Sequence, residues 1–215
     1  MVLMVLSSPN NLDKRNLMRT RLHTIADVKL IFLLGLSKQH QRQIESEHLD
    51  HNDIVQATVV DSYDTLSYKS LFGFIWINKN CNQTKYITKT DDDVTLDITL
   101  LKKTMKMKYE DNPPDILECP SVIRNMRPLK QNHTGTIMAK FFITSYELQR
   151  RVYPDLCFGW LYVTTPRVGL ALAEVAAINH EELQPRANRD DYFITGFLRE
   201  KLPWISLRCL SVTNH

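Results

Sequence analysis

No apolar run in the 215 residues reaches the roughly 18 to 20 needed to span a bilayer. The opening Met1-Val2-Leu3-Met4-Val5-Leu6 is apolar, yet it lacks a basic flank, adequate length and a cleavage site, which argues against a secretory signal. Val2 to Leu6 is expected to be a buried strand, so that the chain starts directly on a core element with no stem or anchor before it. An excess of one charge is missing too. The 27 Lys and Arg against 24 Asp and Glu leave a formal net charge of +3, too little to argue for a nucleic-acid partner. The one basic gathering, Lys102, Lys103, Lys106 and Lys108, is interleaved with Leu101, Met105 and Met107 and reads as the solvated face of a helix. No G-x-G-x-x-G follows a strand-like segment, which sets aside a dinucleotide-binding protein of Rossmann type. Cys81, Cys119, Cys157 and Cys209 form no CxxC pair, which disfavours a zinc site. Their spacing fits two disulfides or four buried thiols equally. Internal repeats and low-complexity segments are absent.

What remains is 43% hydrophobic, enough for one good-sized core. The first half alternates strand-like and helix-like stretches. Strands are expected at Val2–Leu6, Val28–Leu34, Asp53–Val60 and Thr84–Lys89, with helices at Asp13–His23, Lys38–His48 and Asp64–Lys79 between them. That order implies an α/β fold with a mainly parallel sheet and ligands beyond the carboxyl ends of its strands. The second half is less regular. Asn112-Pro113-Pro114 breaks the pattern and Pro120 to Gly135 is polar and loop-like. Strands are expected at Phe141–Thr144 and Leu161–Thr164, and a helix at Val168–Ala177.

Asp91-Asp92-Asp93 follows directly on a strand. If the backbone stays extended, Asp91 and Asp93 project to one side and Asp92 to the other. Two carboxylates on one side make a hard oxygen site for Mg²⁺ or Mn²⁺, completed by substrate phosphates and water. The alternative is a solvated acidic turn capping a helix that starts near Asp97.

Thr84 to Val94, TKYITKTDDDV, resembles the "K-Y-x-x-K-x-DDDV" segment of the β-1,3-galactosyltransferase and β-1,3-N-acetylglucosaminyltransferase family. Seven further blocks stand in the order of that family. They are Arg15–Arg19, Phe32–Gly35, Asp53–Gln56 with Asp61–Lys69, Trp76 with Cys81, Lys140–Thr144, Tyr153–Val163 and Asp190–Gly196. The resemblance runs from about Leu6 to Leu207. It implies a single catalytic domain over 1–215 of GT-A type, Rossmann-like, with about 1–110 binding the nucleotide sugar and about 111–215 the acceptor.

The implied activity is transfer of galactose, or an N-acetylhexosamine, from a UDP-sugar to a hydroxyl of a glycan, glycoprotein or glycolipid acceptor, in β-1,3 linkage with inversion. Asp93, helped by Asp91, would hold Mn²⁺ or Mg²⁺, and Asp92 would face the ribose or a neighbouring amide. Inversion needs one general base and no covalent nucleophile. The pair Asp190-Asp191 is the candidate, with Asp191 favoured. On the residues alone an N-cap role for Asp191 ranks ahead; the resemblance reverses that order. Arg19, Lys69 and Lys140 are candidates for neutralising donor phosphate or ordering the pocket. Asp61 and Tyr63 lie where uridine contact is expected, and Lys140, Gly159 and Trp160 fall on the acceptor side. The glycine-rich stretch before Tyr162 is reduced here to Phe158-Gly159-Trp160-Leu161, and the usual acidic pair is followed by Tyr192, so altered acceptor choice is expected. A non-catalytic sugar-binding or chaperone-like relative is the alternative; loss of Asp93, or of both Asp190 and Asp191, would favour it, and neither is lost. Relatives of this kind are type II membrane proteins of the Golgi lumen, their anchor absent from this chain. The sequons at Asn82 and Asn132 suit that compartment, in which the cysteines are expected to be mostly disulfide-bonded.

Overall fold

The computed structural model describes residues 1–110, 112–127, 152–179 and 190–210. Among them the strands are β1 (Val2–Leu6), β2 (Lys29–Leu36), β3 (Ile54–Val60), β4 (Ile87–Asp91), β5 (Ile116–Cys119), β6 (Val122–Ile123), β7 (Leu156–Cys157), β8 (Leu161–Thr164) and β9 (Ser206–Cys209). The α-helices are α1 (Leu12–Leu22), α2 (Gln41–His51), α3 (Leu66–Asn80), α4 (Ile98–Tyr109) and α5 (Pro166–Ile178). A 3₁₀ turn at Tyr63–Thr65 leads into α3, and a π-helix spans Asp191–Leu198.

Seven strands form one sheet in the order β3-β2-β1-β4-β8-β5-β9, and β6 pairs with β7 beside it. The first four are parallel, β8 runs antiparallel to both neighbours, and β9 is parallel to β5. The mainly parallel α/β class is therefore the one expected. Strand β1 is apolar at every position and buried at every position, as a central parallel strand covered on both faces must be. Full burial of each such side chain contributes about 1.5–3 kcal/mol. Helix α3 packs on α5 and on β1 to β3. Its Phe74 and Ile77 join Met4, Leu33 and Ile87 in the principal core.

The chain leaves β1 towards β2 and β3 on one side and returns to β4 on the other. The carboxyl ends of β1 and β4 therefore flank a topological switch point, where a crevice opens. Residues 7–11 follow β1 there, and the acidic triplet follows β4.

Several expected boundaries shift. Strand β4 runs through Asp91, so the first acidic residue belongs to the strand and the turn begins at Asp92. Helix α4 is capped by Asp97, whose carboxylate accepts from the Leu100 N–H at 2.8 Å, so the triplet has no capping task there. Strands β5, β6, β7 and β9 were not expected, β6 lying within the stretch read as loop; each has at most four residues, too few for a periodic signal. The expected strand Phe141–Thr144 lies outside the described residues. The cysteines follow neither proposed pattern. Cys119 and Cys157 form a disulfide between β5 and β7, while Cys81 and Cys209 are free thiols. The expectation of mostly paired cysteines is corrected accordingly: Cys81 ends α3, against the β1–β3 half of the sheet, and Cys209 ends the edge strand β9.

Candidate active site

A cavity of about 690 Å³ opens at the switch point, within the range of small-molecule sites. One wall is built around Ser7. Its hydroxyl donates to Asp92 Oδ2 at 2.7 Å and accepts from Arg15 Nη1 at 3.1 Å, while its carbonyl accepts from Lys69 Nζ at 3.0 Å. Arg15 is 1% exposed and lies under this loop. It holds Glu47 through both carboxylate oxygens, at 2.8 and 2.6 Å, and donates to the Ser8 carbonyl at 2.7 Å. Burial pushes the Glu47 carboxyl up, but the guanidinium groups of Arg15 and Arg19 outweigh it and hold the carboxyl below its ordinary 4.5.

Arg19 serves this network and not the cavity. It grips Asp53 with two bonds of 2.8 Å and Glu47 with one of 2.6 Å, and it is not among the cavity-lining residues. The expected donor-phosphate role for Arg19 is corrected to an anchoring one: its donors already meet carboxylates behind the wall. Lys69 is buried and bonded to Ser7 and to Asp61 Oδ2 at 2.9 Å, which makes it a residue that orders the pocket. Asp61 also accepts from the Gly35 N–H at 2.7 Å. A Cβ on Gly35 would lie 2.7 Å from the Asp61 Cα, so only glycine lets β2 approach this close. Tyr63, half exposed in its 3₁₀ turn, lines the cavity beside Asp61.

The acidic triplet divides its work. Asp92 turns back into the wall, accepting from Ser7, from Asn11 Nδ2 at 2.8 Å and from Lys14 Nζ at 3.1 Å. Asp91 and Asp93 line the cavity with side chains 39% and 67% exposed. Burial raises the Asp91 carboxyl, the Lys89 ammonium opposes this, and the nearby charges of Asp190 and Asp93 raise it further. Among the described residues no group of three or more His, Cys, Asp or Glu could hold a metal unaided. The chemistry of the donors fits the implied cation all the same. Mg²⁺ is commonly held by one or two carboxylates together with substrate phosphates, and Asp91 and Asp93 offer two hard carboxylates facing a cavity.

The opposite wall carries the second acidic pair. Asp190 and Asp191 stand where the π-helix begins, and both line the cavity. The N-cap position falls to Asp190, whose side chain makes no cap bond, and Asp191 is the first residue of the helix. The Asp191 Oδ2 accepts from the Gly159 N–H at 2.8 Å, 32 residues earlier in the chain. Gly159 has φ +94°, a conformation that disfavours any side chain, and this turns its amide towards the acid. Burial raises Asp191 to about 7; Lys89 and the Gly159 amide oppose the rise, while Asp190 and Asp91 add to it. Phe158 and Trp160, 36% and 42% exposed, flank Gly159 on the cavity side. The next turn is pinned as the Thr195 hydroxyl donates to the Asp191 carbonyl at 2.7 Å. A π-helical stretch is uncommon and often marks a functional site.

Sequence reasoning missed Lys89, Ser7, Asn11 and Lys14, all cavity-lining. Lys89 carried a signal: it sits in an otherwise apolar and threonine-rich strand two residues before the triplet, where a charge needs a partner. Lys140 and Asn132 lie outside the described residues. Asn82 is exposed in the turn after α3.

The galactosyltransferase family model matches residues 13–205. The chain belongs to this galactosyltransferase family. Three family relatives show the range of similarity. Mouse (Mus musculus) β-1,3-galactosyltransferase 4 is 38% identical over 104 residues, covering 46% of this chain and 28% of its own. Pan paniscus β-1,3-galactosyltransferase 5 is 27% identical over 209 residues, covering 94% and 65%. Human (Homo sapiens) lactosylceramide 1,3-N-acetyl-β-D-glucosaminyltransferase is 28% identical over 192 residues, covering 82% and 48%. The chain thus spans between about a quarter and two thirds of the length of these relatives. No helix among the described residues is long and apolar enough to cross a membrane.

Proposed function

We propose that this galactosyltransferase-family chain transfers a hexose or N-acetylhexosamine from a UDP-sugar to a glycan hydroxyl in β-1,3 linkage, by a single inverting displacement. The observation that carries this reading is Asp191: a half-buried carboxyl at the cavity wall, raised to about 7 and aimed by the amide of another segment. A base is most effective with a proton affinity near the working pH. Asp191 takes the proton from the acceptor hydroxyl as that oxygen attacks the anomeric carbon. The aromatic faces of Phe158 and Trp160 flank the acceptor sugar, and Lys140 is assigned to the same side.

The donor lies along the Ser7 wall. Tyr63 and Asp61 border the uridine, and Lys14 at the start of α1 offers a cation towards the diphosphate. Asp93 and Asp91 would hold Mn²⁺ or Mg²⁺, which when bound neutralises negative charge on the leaving diphosphate. The remaining steps belong to the chain: Arg15, Lys69 and Asp92 fix the loop after β1, and the buried wall around Asp191 excludes water. The proposed setting is the Golgi lumen, with Asn82 and Asn132 as glycan acceptors.

The test is a panel of UDP-sugars assayed for transfer and hydrolysis with and without Mn²⁺. The expected result is metal-dependent turnover with UDP-galactose or a UDP-N-acetylhexosamine. No turnover and no UDP binding with any donor, from folded protein, would overturn the assignment.

A further inference from the structure

The buried lysine on β4 has no part in the proton transfer just described, yet it lies between the two acidic groups. Lys89 is fully enclosed, and its Nζ stands 3.1 Å from Asp91 Oδ1 and 3.4 Å from Asp190 Oδ2. Its ammonium also sits over the ring of Tyr162, 5.9 Å from the centroid, and Tyr162 is its cross-strand partner on β8. Asp190 is buried, and among the described residues neither of its carboxylate oxygens has a hydrogen-bond partner. Lys89 is the ion-pair partner Asp190 has among the described residues.

We propose that Lys89 is a positioning residue, whose ammonium binds Asp190 to Asp91 and leaves Asp191 as the one carboxylate of its pair free to face the acceptor. The proposal rests on the general-base reading of Asp191. The charge of Asp190 raises the adjacent Asp191 carboxyl, and that of Lys89 opposes the rise. Lys89 separates the roles of the pair. It neutralises Asp190 from below and holds it against the β4 rim, so that the Gly159 amide receives only Asp191. The tie also connects the strand bearing the donor-side acids to the helix bearing the base.

Among the described residues, the charged and titratable groups on the elements around Asp191 include Arg167 and Glu174 on α5, which also packs on the π-helix. Strand β4 presents Lys89 and Asp91, β8 presents Tyr162, and its own helix presents Asp190; Lys14 and Asp93 stand at the opposite side of the cavity. Strand β7, packed on the π-helix, brings only a leucine and a disulfide-bonded cysteine.

The decisive measurement is a carbon-detected NMR titration of the Asp191 carboxyl in the wild type, Lys89→Met and Asp190→Asn, with transfer assayed across pH on the same preparations. Removal of an opposite charge within about 4–6 Å moves a carboxyl by about 1–3 pH units. Lys89→Met should therefore raise the Asp191 midpoint by at least about one unit, with transfer at pH 7 falling about tenfold and recovering at higher pH. Asp190→Asn should lower the midpoint, because it removes the repulsion and releases Lys89. Midpoints that stay in place in both variants overturn the proposal; a merely structural lysine would lower the melting temperature and leave them unmoved. Should Lys89→Met fail to fold, the near-isosteric Asp190→Asn decides alone. If the midpoints shift but Asp191→Asn keeps full transfer, the placement of Lys89 stands and the general-base reading is the one that fails.

Discussion

The two walls of the cavity are built on opposite principles. Around Ser7 each buried charge meets an opposite charge at short range, as Arg15 and Arg19 meet Glu47 and Asp53, and Lys69 meets Asp61. Around Asp190 and Asp191 two carboxylates, Asp91 and Asp190, share one lysine, and the buried Asp190 oxygens and the Tyr162 hydroxyl have no hydrogen-bond partner among the described residues. The first wall is satisfied before any ligand arrives. The second holds polar groups whose demands are unmet, which is costly for folding and useful for chemistry.

Damage to the two walls should therefore read out differently. The largest effect is expected from Asp191→Asn, with transfer falling about 10² to 10⁴-fold while UDP binding is kept and the melting temperature does not fall. Transfer assays and thermal melts on one preparation separate this from a cap role, since Asn caps a helix nearly as well as Asp. Next is Glu47→Ala on the Ser7 wall. It leaves Arg15 buried without its main counter-charge, and breaking a buried pair costs about 3–5 kcal/mol. Urea denaturation should show that loss, and soluble, fully stable protein would contradict the network assignment.

A third substitution, Asp93→Ala, touches an exposed carboxylate, so the fold should persist while the metal-dependent part of UDP affinity disappears. Calorimetry with and without Mn²⁺ checks it; unchanged affinity in metal would remove Asp93 from the cation site. The smallest effect concerns pH, and the walls should oppose each other. Glu47 is lowered on folding, so its stabilisation is present above its unfolded value of about 4.5 and fades as pH falls through the lower folded value. Asp191 is raised from 3.8 to about 7, so its contribution is present below 3.8 and is lost as pH rises to about 7. Denaturation across pH 3 to 8 should show the second trend weakened in Asp191→Asn and the first weakened in Glu47→Ala.

The sequence disclosed one wall better than the other. Long apolar strands with helices between them made β1 to β4 and the switch point legible, and with them the acidic triplet at a strand end. Arg19 was misplaced because a lone arginine does not reveal whether its partner is a phosphate or a distant carboxylate such as Asp53. Short strands left no periodic trace, so the pairing of β5 with β9 and the disulfide between β5 and β7 had no local signal. The fixing of Asp191 by a backbone amide 32 residues away is a tertiary event. Spacing cannot express it. The lone lysine of β4 was visible as an anomaly, but its partner Asp190 lies 101 positions further on.

Strand β8 has one more consequence. Because it runs against its neighbours, it brings its beginning, and not its end, to the rim where the parallel strands finish. Gly159 and Trp160, just upstream of β8, are thereby set opposite the loop that follows β1. The two halves of the pocket are thus read from the chain in opposite senses. Lengthening or replacing the segment that leads into β8 alters one bank of the crevice and leaves the β1–β4 scaffold untouched. A single reversed strand gives this architecture a place where one bank of the pocket can diversify while the other keeps its frame.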